Sequence, residues 1–125
     1  MMKSLLLAVA AFAMVACASA QPTTSTAALQ QKVLAAEVAY EVPLAVAVAY
    51  NKRPRCTVPK TITLCSEQNV VVELRRANRA VRTAFDAAMD LASVPGVTDS
   101  AVTAAIAVAT SAIGPLQSII DQYAK

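Results

Sequence analysis

The residues able to do covalent chemistry in this chain are few: three cysteines, Cys17, Cys56 and Cys65, and no histidine at all. Cys56 and Cys65 are too far apart for the C-x-x-C arrangement of a dithiol redox site. Two thiols without an imidazole also fall short of a tetrahedral metal site. In an oxidising compartment the pair reads as one structural disulfide. Carboxylates offer little more. Glu37 and Glu41 share a helix face at i, i+4, a spacing that is ordinary on exposed faces and is not by itself a site. There is no G-x-S-x-G, no H-E-x-x-H and no P-loop, and the only glycines are Gly96 and Gly114. The sequence therefore predicts a protein that is not an enzyme and uses no metal and no cofactor.

Charge points to binding instead. Eleven Lys+Arg stand against 8 Asp+Glu, a net +3, too mild for a nucleic-acid surface unless the cations cluster. Four of them do cluster: Lys52, Arg53, Arg55 and Lys60 lie between Asn51 and Cys65, a stretch with no acid. No aromatic residue interleaves the four, so stacking recognition of nucleic acid has no support. Held on a loop stiffened by Pro54 and Pro59 and tied by Cys56–Cys65, they form an anion- or partner-binding candidate. Phospholipid or lipopolysaccharide headgroups, acidic wall polymers and an acidic protein face are the partners such a knob would take. The same charges would also keep an apolar little protein soluble. A second basic row, Arg75, Arg79 and Arg82, reads as a solvated helix face on which Arg82 can pair with Asp86 and Glu73 with Arg76.

The N-terminus predicts export. Residues 1–20 read MMKSLLLAVAAFAMVACASA: a positive Lys3, an apolar stretch from Leu5 to Val15, then small residues ending Ala18-Ser19-Ala20. That order fits a signal peptide cleaved before Gln21. The apolar run is shorter than the roughly 20 residues a bilayer span needs. A competing processing site lies within it. Met14-Val15-Ala16-Cys17 resembles the lipobox of bacterial lipoproteins, with Met14 where the pattern prefers Leu, and would make Cys17 a lipidated first residue. Either route leaves Cys56 and Cys65 to pair.

These features need a scaffold, and the patterning supplies an all-α one. After a polar tether, residues 21–25, the domain 26–125 contains three helical segments. The first, from about Thr26 to Tyr50, repeats Leu29, Val33, Ala36, Tyr40, Leu44 and Ala47 at steps of three or four. The second, from about Glu67 to Ala92, carries Val70, Leu74, Ala77, Val81, Ala84, Ala88 and Leu91. The third, from about Asp99 to Ala124, carries Val102, Ile106, Ala109, Ile113, Leu116, Ile120 and Tyr123. Unbroken four-three steps predict helix-on-helix packing in an up-down-up three-helix bundle. Ser66 is the expected cap of the second helix, and Thr98 or Asp99 the start of the third. Pro43 and Pro115 fall inside helices, where each removes a hydrogen bond and kinks its helix or ends it early. Val42 to Tyr50 alternates large and small apolar residues, but the small ones are all Ala, which favours helix over strand.

Ala101 to Ile120 carries no charge, which raises a membrane span. Its hydroxyls, Gln117, Gly114 and Pro115 weigh against insertion, and its large apolar residues favour one face, so a core helix is expected. In plan, a signal or lipobox, a tether and an Ala-rich helical domain resemble small exported helical lipoproteins of bacteria and their phages. That resemblance implies a periplasmic or membrane-anchored, envelope-associated protein acting as adaptor, spacer or inhibitor. The phage members imply an alternative, a lysis component of spanin-like or holin-like type. The lipobox-like MVAC is the sole motif behind the likeness, and no functional residues carry over with it.

Overall fold

The computed structural model describes residues 24–59 and 64–124. The segment 1–20 read as a signal peptide, Cys17 within it, most of the tether, Lys60 and Lys125 lie outside them. The described chain is three helices, α1 (Thr26–Asn51), α2 (Gln68–Ala92) and α3 (Asp99–Tyr123), with no strand among the described residues. Val42 to Tyr50 is helical, as its alanines require.

Side-chain contacts fix the up-down-up order. At one end Gln30 Nε2 donates to Ser93 Oγ at 3.0 Å, and Lys32 Nζ lies 3.0 Å from both carboxylate oxygens of Asp99. The start of α1 thus sits beside the α2–α3 turn. At the other end Arg53 Nη2 donates to the carbonyl of Ala124 at 3.3 Å, which places the loop after α1 beside the end of α3. All three helix pairs touch; α2 and α3 pack most extensively, and α1 and α2 least.

Local chemistry explains the boundaries. Ser25 Oγ accepts from the Ala28 amide at 3.2 Å, so the last tether residue is the N-cap of α1. Thr98 Oγ1 does the same for Ala101 at 3.2 Å, with Asp99 in the first turn of α3 favourable to the helix dipole. The expected cap at Ser66 is corrected. Glu67 is the N-cap of α2, without a side-chain capping bond, and its own amide donates to the Tyr50 hydroxyl at 3.0 Å. A phenol at the end of α1 therefore pins the start of α2. Ser66 is fully buried and its hydroxyl is used elsewhere. Gly96, at φ 78°, supplies the left-handed residue of the α2–α3 turn.

Both prolines stay inside their helices. Neither ends its helix early. The carbonyls deprived of a donor belong to Ala39 and Ser111, both exposed residues where water can serve them.

The core follows the heptads. Leu29, Val33, Tyr40 and Ala47 of α1 meet Val70, Leu74, Val81 and Ala88 of α2 and Val102, Ala109, Leu116 and Ile120 of α3. Ala36, Leu44, Ala77, Ala84, Leu91, Ile106 and Ile113 line its edges. Tyr123, placed on the stripe of α3, is 42% exposed, because it is the last residue of that helix. With so much alanine in the seam, larger side chains are left outside: Leu34, Val38 and Val42 on α1 and Val108 on α3 are each more than half exposed. By length and composition α1 and α3 could each cross a membrane. In this fold they pack on α2 and on each other.

Candidate functional site

The basic loop is built on a closed base. Cys56 and Cys65 are bonded, with Cα atoms 4.9 Å apart. The Cys56 amide donates to the Ser66 carbonyl at 3.1 Å, and the Ser66 amide to that of Pro54 at 2.8 Å. The buried Ser66 hydroxyl accepts from Arg55 Nη1 at 2.9 Å and donates to the Arg53 carbonyl at 3.0 Å. One serine therefore stitches both sides of the loop.

The four sequence-selected cations have different surroundings. Lys52 is exposed at the end of α1. Arg53 is half-buried; its guanidinium carbon lies 5.1 Å from the centre of the Tyr50 ring while Nη2 holds Ala124. Arg55 uses Nη1 on Ser66, and its Nη2 reaches Asn51 Oδ1 at 3.4 Å. Lys60 lies outside the described residues.

A fifth cation joins them. Arg75 Nη2 also reaches Asn51 Oδ1, at 3.4 Å, so a loop arginine and a helix arginine converge on one neutral oxygen. No pattern in the chain signals this, because Arg75 belongs to the α2 row and only folding brings it to Asn51. Each guanidinium has five donors, so one carboxamide oxygen leaves most of them available to a further acceptor.

Of the rest of the α2 row, Arg82 faces an open channel between α1 and α2, and Arg79 is exposed on α2 beside Val72, Arg75 and Asn78. Arg82, Glu37, Glu41, Tyr40, Leu34 and Leu44 are among the residues lining a hollow of about 530 Å³. A second hollow of about 160 Å³, nearer the loop, has Leu44, Ala47, Val48, Leu74 and Arg75 in its walls. Among the described residues Arg82 does not close an ion pair with Asp86, nor Glu73 with Arg76; the pair within 4 Å is Lys32–Asp99. The Tyr40 hydroxyl donates to Asn78 Oδ1, and its ring packs on Phe85 with centroids 6.3 Å apart. Burial pushes the Tyr40 phenol above its usual range; Arg82 opposes this and Glu37 reinforces it.

The basic end presents guanidinium and ammonium donors, in part already engaged with Ser66 and Asn51. Among the described residues no three His, Cys, Asp or Glu side chains gather to hold a metal ion. Glu37 and Glu41 line the channel together with Arg82 and Tyr40. Comparison of the chain with protein-family models, curated proteins and solved structures gave no match.

Proposed function

We propose that this is an exported, envelope-associated helical protein that acts by binding, as adaptor, spacer or inhibitor, through the basic end of its bundle. The observation that supports this best is the convergence of Arg55 and Arg75 on Asn51 Oδ1, beside exposed Lys52. An oxyanion approaching these donors gains charge-assisted hydrogen bonds from groups already held in place. The reading names anionic envelope material or an acidic protein face as the partner. If Cys17 is lipidated, α1, roughly 39 Å long at 1.5 Å per residue, holds this end away from the anchoring membrane. The knob then addresses the periplasmic space or the wall. Incubating the full chain, purified from the producing cell, with lipopolysaccharide and with anionic or neutral vesicles tests the reading. Binding to anionic material alone, lost as salt rises, is expected. Equal binding to neutral vesicles would contradict it.

The length and apolar composition of α1 and α3 favour a second reading, a phage lysis component acting in the membrane. A carbonate wash separates the two. A binder leaves the membrane when Cys17→Ser removes its lipid, whereas a spanning protein stays.

A further inference from the structure

The channel between α1 and α2 has two walls of opposite charge. Glu37 and Glu41 stand on the α1 side, and Arg82 lines the same hollow from α2. Arg79, one turn nearer the loop, is exposed on α2 beside Arg75 and Asn78, two residues that also line the smaller α1–α2 hollow nearer the loop. Among the described residues none of Glu37, Glu41, Arg79 and Arg82 makes an ion pair within 4 Å. Leu34 and Val38 lie on the acidic wall, 52% and 59% exposed. A surface with large apolar side chains beside unpaired acids and arginines suits a partner carrying both charges in matching strips. This chain is such a partner.

We infer that the α1–α2 face seats the same face of a second copy, about a two-fold axis parallel to the helices. Glu37 and Glu41 of each copy then meet Arg79 and Arg82 of the other. The charges select this axis. A two-fold parallel to the helices carries α1 of one copy over α2 of the other without changing its height. Arg82 is level with Glu37 and Glu41, because all three line one hollow. The acidic strip therefore falls on the basic strip twice, once on each side of the axis. A two-fold across the helices would lay α1 on α1 and acid on acid, which is repulsive. Leu34 and Val38, on the same wall as Glu37 and Glu41, are covered where α1 meets α2 of the other copy, and the loop ends of both copies point the same way. The pair would present two basic knobs side by side to one surface, so a weak site gains from being doubled.

Sedimentation equilibrium of the disulfide-intact chain, purified from the producing cell, tests this. The unaltered chain should show a concentration-dependent dimer that weakens as salt rises. The double variant Glu37→Arg with Glu41→Arg should be monomeric, and so should Arg79→Glu with Arg82→Glu. Mixing the two should restore a dimer, since acid strips then meet basic strips on both sides. Helical circular dichroism of each variant confirms folding, and the salt dependence of the unaltered chain stands whether or not a variant folds. A chain that remains monomeric up to about 1 mM would overturn the inference. So would a dimer indifferent to salt, or folded variants that do not restore association when mixed. Anion binding by Lys52, Arg55 and Arg75 is read separately and can survive the loss of the dimer.

Discussion

Arg53 donates to the main-chain carbonyl of Ala124 at 3.3 Å while its guanidinium lies over the ring of Tyr50. The contact ties the loop after α1 to the end of α3, so the basic end of the bundle is a built surface rather than a tail. It also divides the four loop cations. Arg53 and Arg55 hold the loop, and Lys52 is exposed at the end of α1.

Ser66 is the cheapest point at which to loosen this end. Ser66→Ala removes the acceptor of Arg55 Nη1 and the donor to the Arg53 carbonyl. Arg55 is exposed and Arg53 half-buried, so water can serve the groups left behind, and the loss of these bonds costs about 1 kcal/mol. Thermal melting should fall accordingly, and far-UV dichroism should stay helical. An unchanged melt would mean that the loop opens independently of the helices.

Reducing Cys56–Cys65 should lower the melting temperature by roughly 10–20 °C. The chain-entropy model gives about 2.5–3 kcal/mol for a loop this short, and a small domain shifts about 4–8 °C per kcal/mol. Equal melting of oxidised and reduced protein would show the bridge to be uncoupled from the core.

Much of this fold could be read from the chain before its structure. The unbroken four-three stripes of α2 and α3 located both helices, since alternating steps of three and four fit only a helical face. Cys56 and Cys65 paired as their spacing suggested. The misses arose where a residue serves a distant element. Ser66 looked like a cap because capping is local, whereas the folded chain buries it under Arg53 and Arg55. Arg75 is exposed, as a solvated face requires, and its contact with Asn51 could not be read because the two are neighbours only in three dimensions. The exposed Leu34 and Val38 follow from an alanine-filled seam, which satisfies α1 on one face and leaves large side chains on another.

Tyr40 gives the bundle an alkaline limit. Its phenol is raised by burial, so the folded state holds that proton more tightly than the unfolded chain does. Stability from this group is therefore fully present below the ordinary tyrosine value of about 10 and is lost as pH rises through the folded value. Denaturation midpoints should be flat with respect to this group up to about pH 10 and then fall. In Tyr40→Phe that component of the fall should disappear, and the lost hydrogen bond to Asn78 should lower stability by about 1 kcal/mol at neutral pH. An alkaline fall identical in both proteins would assign it to other groups.

Processing should be visible by intact mass. Protein from the producing cell should begin at Gln21, or at Cys17 carrying acyl chains. Recovery of a chain that still carries residues 2–16 would contradict export with cleavage.

The central claim, that the basic end binds anionic material, is tested most directly by the salt dependence of lipopolysaccharide binding in a graded series of variants. Lys52→Gln with Lys60→Gln should weaken binding, and adding Arg75→Gln should weaken it further, with the melting temperature within a few degrees of the unaltered protein. Adding Arg53→Gln and Arg55→Gln should abolish the salt-sensitive component and also lower the melt, because these two hold Ala124 and Ser66. Binding unchanged in the Lys52, Lys60 and Arg75 variant, at any salt concentration, would contradict the account and leave these charges the role of keeping the protein soluble.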